Sequence, residues 1–114
     1  MTTSYQAFAK LYIGTGEGHA DGAFGNGLVS LLRGIRDSGS LNKSAKDMHM
    51  AYSKAWKLMN SAEEQLGVQL ISRDGARGST LTPEGARLVE AFDTVSRDVD
   101  EYARKRLQEE LARS

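Results

Sequence analysis

Residues 39–67 read GSLNKSAKDMHMAYSKAWKLMNSAEEQLG, and this stretch decides the fold. Ser40 is suited to open a helix, because its hydroxyl oxygen can accept from a free backbone N–H of the first turn. After it, Leu41, Ala45 and Met48 recur at helical spacing and predict a short helix over about 41–48. His49-Met50-Ala51 breaks the pattern. Ala55, Met59, Ala62 and Leu66 then share one side of a second helix over about 51–66, which Gly67 ends. Two helices joined by a turn of about three residues make a helix-turn-helix unit.

Upstream, Leu28, Leu31, Leu32 and Ile35 predict a preceding helix, with Asn26 as its N-cap and Gly39 just past its end. Farther upstream, residues 7–13 (AFAKLYI) partly alternate and predict a strand, and residues 20–24 are placed to pair back on it across a glycine-rich stretch. Downstream, Val68 to Ile71 and Ser79 to Leu81 predict two strands around a turn at 74–78, a hairpin in the position of a wing. Thr82 and Pro83 suit the N-cap and first position of a final helix reaching about residue 112. Its apolar residues Leu88, Phe92, Val95, Val99 and Tyr102 are spaced four, three, four, three, a heptad seam for another helix.

The expected class is therefore mainly α with a small β component (α+β). It is a winged helix-turn-helix with an N-terminal strand or hairpin and a long C-terminal dimerisation helix. Residues 1–82 would form the winged helix-turn-helix and 83–114 the dimerisation helix of the same structural unit.

Composition narrows the functional classes. The chain has no cysteine, which excludes disulfides and Cys-based zinc sites and suits a reducing cytoplasm. The N-terminus MTTSYQAFAK lacks the basic and apolar regions of a signal peptide, and no apolar run approaches the ~20 residues of a membrane span. Formal net charge is +0, but it is unevenly spread. Residues 40–80 carry six basic and four acidic side chains, and residues 81–114 carry six basic and eight acidic ones. Basic charge concentrates between Lys43 and Lys57, with only Asp47 against it.

Several of these residues resemble the N-terminal winged helix of LysR-type regulators. They are Gly39-Ser40-Leu41, Ala45-Lys46, Met48-His49-Met50, Leu66 to Ile71, Arg73 and Leu81-Thr82-Pro83-Glu84-Gly85. Phe24-Gly25-Asn26-Gly27 ahead of Leu31-Leu32 and Ile35, and Met50-Ala51-Tyr52-Ser53-Lys54-Ala55-Trp56, are similar to the DNA-binding domain of ModE-type molybdate-dependent regulators. The similarity spans about residues 8 to 105. It implies a transcription regulator that binds double-stranded DNA; with the heptad seam of the last helix, a homodimer on a palindromic operator is expected. Family members commonly have Ser where this chain has Ala51, so a cap worth about 1 kcal/mol is lost. ModE proteins usually carry C-terminal oxyanion-binding domains, which these residues do not include. The resemblance thus implies DNA binding without molybdate binding by this chain.

On this reading, Tyr52, Ser53, Lys54 and Lys57 are the exposed start of the recognition helix, able to reach base edges in the major groove. Ser40, Asn42, Lys43 and Ser44 are expected to seat phosphate, and Arg73 and Arg77 to contact DNA from the wing. Leu88, Phe92, Val95, Val99 and Tyr102 are expected to pair two copies, with Leu88 and Phe92 alternatively covering the winged helix of their own chain. Trp56 reads as a packing residue rather than a base-stacking one, and Glu63-Glu64 as helix surface.

Rival chemistries are poorly supported. Gly25-x-Gly27-x-x-Ser30 lacks the third glycine of a dinucleotide-binding turn, and no Ser/His/Asp set is arranged for catalysis. His19 and His49 have no evident ligand partners, so neither metal nor cofactor is expected, and an enzyme is not. The alternative is a winged-helix protein-interaction or assembly module without DNA binding, which zero net charge permits.

Overall fold

The computed structural model describes residues 4–16, 24–73 and 78–113. Its elements are α1 (Asn26–Ser38), α2 (Leu41–Asp47), α3 (Tyr52–Leu66), β1 (Ile71–Arg73), β2 (Ser79–Leu81) and α4 (Pro83–Arg113). The strands pair antiparallel, with Ile71 opposite Leu81 and Arg73 opposite Ser79. This is the expected mainly helical winged helix-turn-helix.

The core is built around α1. Leu28, Val29, Leu31, Leu32 and Ile35 are all buried, a stripe wide enough for α1 to pack against α2, α3, α4 and β2 at once. Gly39 closes α1 in the left-handed conformation (φ 74°) and donates to the Ile35 carbonyl, as a glycine past a helix end should. The other end differs from expectation. Asn26 is the first helical residue, and the extended cap residue is Gly25, with no side-chain hydrogen bond.

The N-terminal strand does not form. Among the described residues, pairing there is one isolated bridge, Ile13 to Phe24. The sequence alternation is nevertheless real: Ala7, Ala9, Leu11 and Ile13 are partly covered while Phe8, Lys10 and Tyr12 are exposed. The neighbour is a helix, which offers side chains rather than a backbone ladder. The Ala9 N–H donates to Asp100 Oδ1 at 3.1 Å, and Gln108 Nε2 donates to the Tyr5 carbonyl at 2.9 Å, so the segment lies along α4. Of the expected return strand at 20–24, only Phe24 falls within the described residues, where it is fully buried.

The first wing strand starts later than expected, at Ile71 rather than Val68. The backbone just before it has other partners. The Leu70 and Ile71 N–H groups donate to Glu63 Oε2, the Leu70 carbonyl accepts from the Thr82 N–H, and the Gln69 carbonyl accepts from the Thr82 hydroxyl. Glu63 is therefore a structural acceptor and not mere helix surface. Thr82 caps α4 as expected, accepting from the Gly85 N–H at 3.0 Å. Gly85 lies so close to the Leu70 carbonyl that a Cβ there would sit 2.2 Å from the oxygen.

The helix α4 packs on the core along only part of its length. Its start faces the core through Gly85, Val89 and Phe92, and Phe92 meets Phe24 edge-to-face at 6.1 Å. Arg33 of α1 pairs with Asp93 through both carboxylate oxygens. Beyond that point α4 runs past the core with the N-terminal segment alongside it, and the protein measures 59 × 35 × 21 Å. Phe92 (1% exposed) thus belongs to the chain's own core and Leu88 packs partly against it, the alternative open for these two rather than a seam between copies. Val95, Val99 and Tyr102 remain exposed, at 44, 37 and 65%.

Candidate nucleic-acid interface

The turn between α2 and α3 is fixed by backbone hydrogen bonds. Ser40 caps α2, its hydroxyl accepting from the Lys43 N–H at 3.0 Å. At the far end, the His49 N–H donates to the Lys46 carbonyl and the Met50 N–H to the Ala45 carbonyl. This is the paired closure typical of a residue in the left-handed region, and His49 is there, with φ 56°. The chain then enters α3 at once. Ala51 stands at the N-cap without a side-chain hydrogen bond, in keeping with the missing serine.

Ala55, Met59 and Ala62 anchor α3 in the core, which turns the opposite face outward. Tyr52, Ser53, Lys54 and Lys57 are all exposed there. On α2, Asn42, Lys43 and Lys46 are exposed, and with Ser40, Asp47 and His49 they line a shallow depression. Lys43 and Asp47 are 3.9 Å apart, but both are exposed, and such a pair contributes little. Lys46 was not among the expected contacts; its place three residues after Lys43, within the basic stretch from Lys43 to Lys57, was the available signal.

A smaller recess of about 210 Å³ joins the three elements, lined among others by Ser40 and Asn42 of α2, Tyr52 and Trp56 of α3, and Arg73 of the wing. The wing is pinned beside it, the Ser79 N–H donating to the Gly39 carbonyl at 2.9 Å. The Arg73 guanidinium carbon lies 3.7 Å from the Trp56 ring centroid, and Arg73 Nη2 donates to Asn60 Oδ1. Trp56 is half-buried against the core, so it does pack, while one ring face carries Arg73. Asn60 also escaped the sequence reading, although Tyr52, Trp56 and Asn60 lie at four-residue intervals on α3.

One expected contact residue is misplaced. Ser44 is only 1% exposed, and its hydroxyl donates to the Leu31 carbonyl at 2.7 Å. It joins α2 to α1 opposite Gly34, where a Cβ would come 2.0 Å from Ser44 Oγ. It cannot seat phosphate. Arg77 lies outside the described residues.

The sequence pattern described as "Bacterial regulatory helix-turn-helix protein, lysR family" matches residues 28–86, from α1 through the wing to the start of α4. The chain belongs to this family. The matched span is narrower than the similarity expected over 8–105 and omits the N-terminal segment and most of α4. The chain is 33% identical over 72 residues to the "DNA-binding transcriptional dual regulator ModE" of Escherichia coli (strain K12), covering 60% of this chain and 28% of that protein. It therefore spans under a third of that relative. Two solved structures share the fold of the LysR-family domain. A complex of the BenM DNA-binding domain with benA site 1 DNA is 25% identical, with a TM-score of 0.55, covering 66% of this chain and 86% of that one. A complex of the CbnR DNA-binding domain with DNA is 25% identical, with a TM-score of 0.54, covering 75% and 92%. Among the described residues, no helix is long and apolar enough to cross a membrane.

Proposed function

We propose that this LysR-family chain is a sequence-specific DNA-binding transcription regulator that acts as a homodimer on a palindromic operator. The observation that carries the reading is the exposed start of α3. Tyr52, Ser53, Lys54 and Lys57 project from a helix held rigidly by Ala55 and Met59. Short side chains near a helix start, with lysines among them, suit base edges in the major groove. Ser40, Asn42 and Lys43 contact phosphate from α2, and Lys46 joins them. Arg73 does so from the wing. The BenM and CbnR domains, solved with DNA, support this use of the fold.

Within the family, the chain is a ModE-like member. Tyr52-x-x-Ala55-Trp56 and the identity to Escherichia coli ModE support that placement. The bare strip of Val95, Val99 and Tyr102 on α4 packs against its counterpart in a second copy, and two-fold symmetry then sets half-sites at least about one DNA turn apart. Selection of bound sequences from a random duplex pool tests the reading. It should enrich one inverted repeat; a pool that stays unenriched would favour a protein-assembly module instead.

A further inference from the structure

The stack of Arg73 on Trp56 joins the exposed start of α3 to the wing. Arg73 is the last residue of β1, on an exposed hairpin, where an arginine side chain ordinarily samples many rotamers. Here three contacts restrict it. The indole face lies under the guanidinium at 3.7 Å, Asn60 Oδ1 accepts from Nη2 at 3.2 Å, and Tyr52 braces Trp56 edge-on at 6.0 Å and 87°. Tyr52, Trp56 and Asn60 stand one turn apart along α3, so the recognition helix itself holds the arginine. A guanidinium offers five N–H donors. Among the described residues, Asn60 is its only hydrogen-bond partner, so most donors stay available beside the recess that Ser40 and Asn42 also line.

We propose that Trp56 is a positioning residue for DNA binding: it holds the Arg73 guanidinium in place to meet one backbone phosphate at the recess between α2, α3 and the wing. The inference rests on the DNA-binding reading above and deepens it. Arg73 occupies one face of the ring, so the role given to Trp56 is support of the arginine rather than stacking on a base. It acts through Arg73, and the ordering of that side chain is complete before DNA arrives. The planar fork suits a phosphate, and an ammonium in its place would lose both the stack and the bidentate contact.

The experiment measures the dissociation constant of a mixed-sequence duplex over a series of salt concentrations, for the wild-type chain and four variants. Each phosphate contact contributes about 0.9 to the slope of log affinity against log salt. Arg73→Gln and Trp56→Leu should each lower that slope by about 0.9 and weaken binding roughly tenfold, the worth of one charge-assisted hydrogen bond. The double variant should lose no more than either single one, because the two changes remove the same contact. Trp56→Phe keeps an aromatic face and should retain the wild-type slope. An NMR measurement on the free protein keeps the proposal testable even if Trp56→Leu folds poorly. The Arg73 Nε–H resonance should be displaced by the indole ring current in the wild type and return to the ordinary exposed position in Trp56→Leu.

An undisplaced Arg73 resonance in the wild type would overturn the proposal. So would an unchanged slope in Trp56→Leu, or a double variant that loses twice as much as the singles. In all three cases wild-type DNA binding stands and only the positioning role falls. A wild-type chain with no salt-dependent affinity for duplex would instead sink the DNA reading, and this role with it.

Discussion

Replacing Gly34 by alanine puts a methyl group where α1 and α2 nearly touch. The added Cβ would lie 2.0 Å from Ser44 Oγ, 2.8 Å from Ser44 Cβ and 3.3 Å from its Cα. Comfortable carbon contacts lie near 3.5 Å, so the helices must part by about an ångström or the serine must turn away. Its hydroxyl cannot turn freely, because it donates to the Leu31 carbonyl in a buried site. Overpacking of this kind costs about 1–3 kcal/mol, and the strained hydrogen bond adds about 1. The better helix propensity of alanine returns about 1 kcal/mol. The net expectation is a loss of about 2 kcal/mol. At an unfolding entropy of about 2.1 cal/mol/K per residue over 114 residues, that lowers the unfolding temperature by about 8 °C. Calorimetry at one fixed protein concentration reads it, since self-association makes a transition depend on concentration. Ser44→Gly in the Gly34→Ala background clears the clash, and should cost far less there than in the wild type. A Gly34→Ala chain as stable as wild type, with the two changes additive, would refute the close approach and the structural role of Ser44.

Other consequences are open to simple measurements. His49→Gly relieves a non-glycine residue at φ 56° and should raise stability by about 0.5 kcal/mol, a rise of roughly 2 °C by calorimetry. Glu63→Ala removes the acceptor of two backbone N–H groups and should cost about 2–3 kcal/mol in urea unfolding, whereas Glu64→Ala next to it should stay within about 0.5 kcal/mol. Val95→Glu with Val99→Glu places like charges on the bare strip of α4. That chain should sediment as a folded monomer and bind a palindromic duplex far more weakly; a wild-type chain already monomeric at tens of micromolar would contradict the dimer.

Much of the fold was legible because local signals and burial agree. Ala55, Met59 and Ala62 are inward at the predicted spacing, and Gly39 and Gly67 both stop helices in the left-handed conformation. Thr82 and Pro83 open α4 as their chemistry suggests. What escaped depends on distant partners. Ser44 shares the inward face of α2 with Leu41 and Ala45, but its hydroxyl suggested phosphate and only the proximity of Gly34 and Leu31 shows its real acceptor. Glu63 looked like surface because the amides it serves arrive after a turn. In α4, the heptad through Leu88 and Phe92 and the stripe through Gly85, Val89 and Phe92 are equally regular. Periodicity alone does not say where a helix runs past its own core. Alternation at 7–13 likewise predicted a covered and an open side but not the kind of neighbour, which is a helix.

For the recognition surface, the exposed residues of α3 were legible from the sequence, while its link to the wing was not. Tyr52, Ser53, Lys54 and Lys57 are exposed where expected, but Arg73 is bound to Trp56 and Asn60 through contacts that cross from strand to helix. If the start of α3 reads DNA, the duplex enriched from a random pool binds Lys54→Ala and Lys57→Ala chains more weakly than the wild-type chain. Loss of a base-edge contact should weaken each by about 1–3 kcal/mol and relax preference at one position of the site. Wild-type affinity and unchanged preference in both variants would contradict it.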